Sequence, residues 1–387
     1  MQKSLLHYFL ILFASFVLQQ ACFAQPLLPS YTADPSQLHI TWDSASLRKI
    51  GTGGYARMIE LRNGKLLAVY AASNGNTEIV RSEDEGNHWS ASVVAAAKAN
   101  DIRMDAPDII LLQDNSILIC YNPRPSKKIP DTSARFAIRT VRSYDEGLTW
   151  KDDQLLYQAS NLFKDGCWEP AALQLPSGEI QIFFSNEGIY TNSNEQNISR
   201  LRSFNNGKTW TAVPEIVSFR KGSRDGMPVP VYMAKTKEIV FSIEDNGYTN
   251  FKPYIIHISA SGKRIETVTA HSSHRKYALH DSLPAAVYAG APYLRMLTNG
   301  NTILSYQSTQ FRQGKNDVGN AEMVVTTGDS SGMNFTNPTI PFKIPTGKTA
   351  LWNSVTVLKN GTIVALTSTN AYSDHTEVWM IKGKVSH

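Results

Sequence analysis

The stretch Ser143-Tyr144-Asp145-Glu146-Gly147-Leu148-Thr149-Trp150 indicates the fold, because its pattern recurs along the chain. The pattern Ser-x-Asp-x-Gly-x-Thr-Trp returns at 82–89 with His before Trp, and at 203–210 with Asn in place of Asp. A degenerate copy at 327–335 keeps an Asp, a Gly and an aromatic residue. Asp or Asn accepts backbone N–H groups in a tight turn, while Gly adopts a positive φ. The pattern therefore predicts a repeated hairpin turn.

A second pattern alternates with the first and consists of a β-rich run, a turn and another β-rich run. Its six copies span 56–70, 107–121, 170–184, 228–243, 292–306 and 353–366, and their turns lie 51 to 63 residues apart. Each half is rich in Val, Ile, Leu and Tyr, which is typical of a β-hairpin. Two hairpins per repeat make a four-stranded blade. The predicted fold class is therefore all-β, a six-bladed β-propeller whose repeated turns are Asp-boxes.

The repeats fill the chain from 25 to 387, so one propeller domain is predicted there with no second domain. A short run at 38–42 reads as a strand and is expected to close the ring by pairing in the last blade. The strand order puts the Asp-box turns and the first hairpin turns on one face. The starts of the first strands and the ends of the second strands lie on the other face, where binding residues are expected.

Residues 1–24 read as a signal peptide. Lys3 precedes an apolar run at 5–18, and Cys22-Phe23-Ala24 resembles a cleavage site. The run is shorter than the roughly 20 residues that span a bilayer, so a secreted or periplasmic protein is expected, with a lipoprotein acylated at Cys22 as the alternative. Cys120 and Cys167 remain, either as a disulfide or as two buried thiols.

The charge of the chain argues against a nucleic-acid partner. The net charge is only +5, and no run of Lys or Arg is longer than two residues. The expected partner is instead an oligosaccharide or polysaccharide, bound by a monomer. Two cysteines without paired histidines make no zinc pattern, and no metal or other cofactor is expected.

The position just before the first strand of each blade differs between the repeats. It reads Tyr55, Ala106, Glu169, Met227, Ala291 and Trp352. Glu169 is the single carboxylate, and Glu187 and Glu244 end second strands on the same face. Two carboxylates across a sugar are the usual equipment for glycoside hydrolysis, and a retaining enzyme holds them about 5–5.5 Å apart. Glu169 and Glu244 are the predicted catalytic pair, with a bridge to an arginine as the alternative role of Glu169.

Further residues of this face are candidates for binding the substrate. Tyr293 and Trp352 either stack on a sugar or pack the channel wall. The full set of predicted substrate-binding residues is Arg57, Asp105, Trp168, Glu187, Arg224, Tyr293 and Trp352.

Asp-boxes on six blades resemble the sialidase superfamily over essentially the whole mature chain. Sialidases use a tyrosine nucleophile, yet the matching segment here is Leu351-Trp352-Asn353-Ser354 and has none. The chain is more similar to glycoside hydrolase family 93, through Trp168-Glu169-Pro170, Ser185-Asn186-Glu187, Gly226-Met227-Pro228 and Glu244.

The resemblance to family 93 implies a retaining, metal-independent exo-enzyme that acts on α-1,5-L-arabinan. It implies Glu169 as the nucleophile and Glu244 as the general acid/base. A sialidase or another glycosidase of the superfamily is one alternative, and a non-catalytic carbohydrate-binding propeller is the other.

Overall fold

A computed structural model describes residues 33–126, 134–261 and 266–386, which are folded almost entirely as β-strands. In the N-terminal half, the strands are β1 (His39–Glu60), β2 (Leu66–Ala72), β3 (Thr77–Ser82), β4 (Val93–Ala96), β5 (Ile102–Leu111), β6 (Ile117–Pro125), β7 (Ala137–Ser143), β8 (Lys151–Gln158), β9 (Cys167–Gln174), β10 (Ile180–Asn186), β11 (Asn197–Ser203) and β12 (Glu215–Ser218). The remaining strands are β13 (Asp225–Met233), β14 (Glu238–Asp245), β15 (Lys252–Ser259), β16 (Arg275–Tyr277), β17 (Ala289–Met296), β18 (Thr302–Ser308), β19 (Glu322–Gly328), β20 (Thr336–Thr339), β21 (Ala350–Val357), β22 (Ile363–Thr369) and β23 (Glu377–Ser386). Short 3-10 helices lie at Pro35–Gln37, Phe163–Asp165 and Val318–Asn320.

The strands form antiparallel sheets in which sequence neighbours pair. Four sheets have four strands each, namely β5–β8, β9–β12, β13–β16 and β17–β20. The fifth sheet has the order β21-β22-β23-β1-β2-β3-β4. We call each four-stranded set a blade and number the blades by their first strands: β1, β5, β9, β13, β17 and β21. Each first strand contacts the next in this order, and β21 contacts β1.

Strand β1 belongs to two blades. Its residues 39–52 pair with β23, and its residues 53–60 pair with β2. The predicted strand at 38–42 is confirmed from His39 onward, since 39–43 pair with 382–386 in the last strand of the described chain. The Trp42 indole N–H also donates to Thr339 Oγ1 at 3.0 Å. The beginning and the end of the described chain are therefore joined in one sheet.

All six predicted hairpins are present, each between the first and second strands of a blade. Their turns contain one residue of positive φ each, and these residues are Gly64, Asn115, Gly178, Lys237, Gly300 and Gly361. The hydrophobic core lies between the faces of neighbouring blades. Leu67 and Val69 of blade one, for example, pack with Ile109 and Ile119 of blade two.

The turns that carry the repeated motif share one hydrogen-bond pattern. In the copy at 143–150, Ser143 Oγ accepts the N–H of Gly147 at 2.8 Å, and Asp145 Oδ1 accepts the N–H of Thr149 at 2.9 Å. The copies at 82–89 and 203–210 repeat both bonds. Asn63, in the first hairpin turn of blade one, donates to Glu146 at 2.9 Å. The two kinds of turn therefore share one face, as the strand order predicts.

The start of each first strand carries a β-bulge. The register shifts once in every first hairpin, and the bulged residue has a positive φ of 45° to 56°. These six residues are Tyr55, Ala106, Glu169, Met227, Ala291 and Trp352, the same positions that the sequence comparison aligned. A bulge leaves one residue unpaired and re-aims its side chain. Four of the six, Tyr55, Ala106, Met227 and Ala291, pack together in one cluster.

The bulge releases a backbone N–H, which a side chain satisfies in five blades. In four of them the acceptor comes from the second strand of the preceding blade, at 2.8–2.9 Å. These acceptors are Ser368 for Tyr55, Ser185 for Met227, Glu244 for Ala291 and Gln307 for Trp352. In blade two, Ala106 uses the neighbouring Asp105 at 2.9 Å. A buried N–H without a partner is costly, so these bonds fasten one blade to the next.

Cys120 and Cys167 are buried free thiols, which decides between the two alternatives for them. The predicted signal peptide at 1–24, including Cys22, lies outside the described residues. Within the described ranges, no helix is long and apolar enough to cross a membrane.

Candidate active site

A cavity of about 590 Å³ opens at the starts of the first strands, on the face opposite the motif turns. This volume lies within the usual range for small-molecule sites, about 300–1,000 Å³. Its lining is contributed by blades one, two, three and six. The side chains of this lining that could bind or react with a ligand are those of Tyr55, Arg103, Asp105, Arg124, Glu169, Trp352 and His375.

Glu169 is the bulged residue of blade three, and the bulge turns its side chain toward the cavity. Its side chain is 19% exposed, and Arg124 Nη2 donates to its Oε1 at 2.9 Å. Burial raises the pKa of Glu169, and the Arg124 guanidinium opposes that rise. The predicted bridge to an arginine is therefore present. It does not compete with a nucleophilic role, because a nearby cation favours the ionised form that a nucleophile needs.

Glu244 lies in a cradle between two glycines. A Cβ on Gly226 would lie 3.0 Å from its Oε1, and a Cβ on Gly290 would lie 3.0 Å from its Oε2. Any larger residue at either position would press against the carboxyl group. The N–H of Ala291 donates to Oε2 at 2.9 Å. The carboxyl group is thus held between blades four and five by backbone on both sides.

The two carboxyl groups have different electrostatic surroundings. Burial raises the pKa of Glu244 to about 7, and the charge of Glu169 adds to the rise. The Ala291 N–H and Arg224 oppose it. A carboxyl group with a pKa near 7 can be protonated when needed as a general acid. Glu169 therefore lines the cavity beside a cation, whereas Glu244 is held by backbone between blades four and five and is not among the residues that line the cavity.

Arg224 connects the carboxylates on this side of the site. Its guanidinium forms an ion pair with Glu187 and donates to Gln196 Oε1 at 2.9 Å. Its charge lowers the pKa values of both Glu169 and Glu244. Glu187 is 3% exposed and also accepts the indole N–H of Trp168 at 2.6 Å. Glu187 therefore holds Arg224 and Trp168 in place.

Apart from Glu187 and Arg224, the predicted binding residues fall into two groups. Asp105 and Trp352 line the cavity. Arg57, Tyr293 and Trp168 are buried and are not among the residues that line it. The Arg57 guanidinium lies 4.0 Å from the centre of the Tyr55 ring and 4.6 Å from that of Tyr293.

Trp168 packs between two aromatic rings, with ring centroids 4.7 Å from those of both Phe136 and Phe163. Direct contact of Arg57, Tyr293 and Trp168 with a substrate stays a prediction. Their observed contacts support the residues that line the cavity.

Sequence reasoning missed Arg124 and Arg103. Arg124 lies at the end of the second strand of blade two, the position that Glu187 and Glu244 occupy near the strand ends of blades three and four. Applying the same rule to blade two would have found it. Arg103 Nη2 donates to the carbonyl of Ala72 at 3.1 Å, a contact between blades that no local pattern reveals.

In the described ranges, no group of three or more His, Cys, Asp or Glu side chains is placed to hold a metal ion.

No family model and no curated protein matches this sequence, but solved structures do. A protein of unknown function from Dyadobacter fermentans superposes with a TM-score of 0.67 at 12% identity, over 90% of this chain and 100% of that one. The GH93 α-L-arabinofuranosidase of Fusarium graminearum, solved with arabinobiose, gives 0.63 at 16% identity, over 88% and 94%. The NanB sialidase of Streptococcus pneumoniae gives 0.59 at 12% identity, over 87% and 69%.

These matches define the class of the protein by its fold. The chain has a sialidase-like propeller fold that is related to the fold of the GH93 enzymes. At 12% to 16% identity the likeness is one of architecture.

Proposed function

We propose that the protein is an exported, retaining exo-glycosidase that acts on α-1,5-linked L-arabinan. The observation that carries the proposal is that two largely buried carboxyl groups act on each other: Glu169 is paired with Arg124, and its charge adds to the burial that raises the pKa of Glu244 to about 7. The fold relationship to an arabinofuranosidase solved with arabinobiose supports the choice of sugar. We also infer that the six blades close into one ring through β1, with the motif turns acting as Asp-boxes.

The proposed reaction has two steps. The Glu169 carboxylate attacks the anomeric carbon while Glu244 donates its proton to the glycosidic oxygen. The bond between the anomeric carbon and that oxygen breaks, and a glycosyl ester of Glu169 forms. Glu244, now a carboxylate, then takes a proton from water, and the water oxygen attacks the anomeric carbon and releases Glu169. The anomeric configuration is inverted twice and therefore retained. Trp352, 41% exposed on the cavity wall, is placed to stack on a sugar ring.

The test is release of arabinobiose from linear α-1,5-arabinan by the wild-type protein and by Glu169→Gln. Loss of turnover is expected in Glu169→Gln, while Glu83→Gln, a 78%-exposed carboxylate in a motif turn, should keep wild-type rates. Full activity of Glu169→Gln on any glycoside would refute the assigned role. Binding of the sugar without cleavage by the wild-type protein would favour a carbohydrate-binding propeller.

A second candidate is a glycosidase for acidic sugars, and the arginines in the cavity favour it. Arg103 and Arg124 both line the cavity, and the Arg103 side chain is 43% exposed. Guanidinium groups suit the recognition of carboxylates. Cleavage of a fluorogenic sialoside or uronide, with no release from arabinan, would select this candidate.

A further inference from the structure

A small polar gap lies beside Glu244, at Gly290. A methyl carbon at position 290 would lie 2.7 Å from Tyr288 Oη and 3.0 Å from Glu244 Oε2. The two oxygens are therefore at most about 5.7 Å apart, the sum of these distances. Tyr288 is only 6% exposed. Because position 290 carries no side chain, the phenol and the carboxyl oxygen can both approach its backbone this closely.

Gln307 fixes the orientation of Tyr288. Its Oε1 accepts the backbone N–H of Trp352 at 2.8 Å, so its amide nitrogen is the group that meets Tyr288. Nε2 donates to Tyr288 Oη at 2.6 Å. The phenol oxygen is thereby used as an acceptor. Among the hydrogen bonds of the described part of the chain, none uses the proton of this hydroxyl.

The backbone around Tyr288 is also held firmly. Its carbonyl accepts the Ser308 hydroxyl at 2.8 Å, and its N–H donates to Thr309 Oγ1 at 3.1 Å. The ring meets Phe251 edge-on, with centroids 6.3 Å apart. Position and orientation of the phenol are therefore set by the surrounding blade rather than by Glu244.

We propose that Tyr288, oriented by Gln307, is a positioning residue that stabilises the carboxylate form of Glu244 across the gap at Gly290. The inference rests on the proposed role of Glu244 as acid/base. In the second step of the reaction Glu244 must exist as a carboxylate to accept a proton from water. A hydroxyl group directed at it, through a small movement or through one water molecule, favours that form.

The other groups that face Glu244 are few. Glu169 repels its charged form, and Arg224 and the Ala291 N–H favour it. Tyr288 is coupled to the same carboxylate, whose charge contributes to raising the pKa of the phenol. Removing the Tyr288 hydroxyl leaves Glu169 and Arg224 unchanged. The pKa of Glu244 should then rise.

The experiment compares the wild-type protein with Tyr288→Phe, Gln307→Leu and the control Tyr306→Phe. Tyr306 is an equally buried tyrosine of blade five whose hydroxyl donates to Gln310 at 2.9 Å. The titration of Glu244 is followed by carboxyl ¹³C NMR, with the signal assigned by Glu244→Gln, and the pH profile of kcat/KM is measured in parallel. Thermal unfolding confirms that each variant is folded.

Tyr288→Phe is expected to move the midpoint of Glu244 upward by about 0.5 to 1 pH unit. Gln307→Leu should move it in the same direction, and Tyr306→Phe should leave it in place. The basic limb of kcat/KM should follow the NMR midpoint. An unchanged or lowered midpoint in folded Tyr288→Phe would overturn the inference. If the wild-type protein hydrolyses no glycoside, the proposed function fails while the NMR titration still decides the role of Tyr288.

Discussion

Replacing Glu244 with glutamine separates its chemical role from its structural one. The carboxyl group accepts the Ala291 N–H at 2.9 Å, and a glutamine amide oxygen can accept the same bond. The protein already contains this arrangement, because Gln307 accepts the bulged N–H of the next blade at 2.8 Å. Glu244→Gln should therefore fold normally. Glu244→Ala leaves a buried N–H unsatisfied and should lose about 1–3 kcal/mol of unfolding free energy.

The same substitution has a stability effect whose sign depends on pH. Burial raises the pKa of Glu244 from 4.5 to about 7 in the folded state. Between these values the folded protein binds more protons than the unfolded chain, so wild-type stability falls as pH rises. A shift of about 2.5 units at about 1.36 kcal/mol per unit is on the order of 3 kcal/mol. Glutamine does not ionise, so Glu244→Gln should gain up to this amount over the wild type at pH 8 and nothing of it at pH 4.

Urea denaturation at pH 4 and pH 8, together with kcat/KM on arabinan, tests both roles. Loss of a general acid/base costs about 10²–10⁴-fold in rate, and the glutamine variant should show this loss while it remains folded. An equal stability difference at both pH values would refute the raised pKa. Wild-type turnover by Glu244→Gln would refute the catalytic role and leave Glu244 as a fastener between blades.

Three further predictions concern the surroundings of the site. Arg124→Met removes the cation 2.9 Å from Glu169, so the pKa of Glu169 should rise by about one to two units. The acidic limb of the kcat/KM profile should move to higher pH by the same amount, and an unmoved limb would contradict this pairing. Trp168→Phe leaves Glu187 Oε2 without its 2.6 Å donor and should lower the unfolding free energy by about 1–3 kcal/mol in denaturant titrations. Asp145→Ala removes the bonds of a motif turn and should cost about 1 kcal/mol of stability with kcat/KM unchanged, since that turn lies on the opposite face.

The strands and their order could be predicted from the sequence because the repeats are local. A turn between two β-rich runs, as at Asn63-Gly64, predicts the first hairpin of each blade, and all six hairpins are observed. The strand at 38–42 could be assigned to the last blade because the repeat count left it unpaired. The location of the motif turns and the first hairpin turns on one face followed from the alternating direction of antiparallel strands.

The candidate site was only partly predictable, since its contacts join residues far apart in sequence. The alignment of the bulged positions identified Glu169 as the one carboxylate among them, but it could not supply Arg124 as its partner 45 residues away. Burial also could not be read from residue type. Arg57 and Tyr293 have the chemistry of binding residues, yet they are buried and pack against each other.

The candidate site lies where carboxyl groups replace the neutral residues found at the same positions in other blades. The bulges explain why these replacements alone can create a site. Every blade has a residue of positive φ at the same bulge, where its backbone N–H is released from the strand pairing. Serine satisfies that N–H in two blades and glutamine in a third, and each is neutral. In blade four the acceptor is Glu244, so a carboxyl group enters a place that the fold already needs to fill and already buries. Burial of this position then raises the pKa of the carboxyl group. Glu169, the bulged residue of blade three, supplies the second carboxyl group of the proposed pair from the same kind of position.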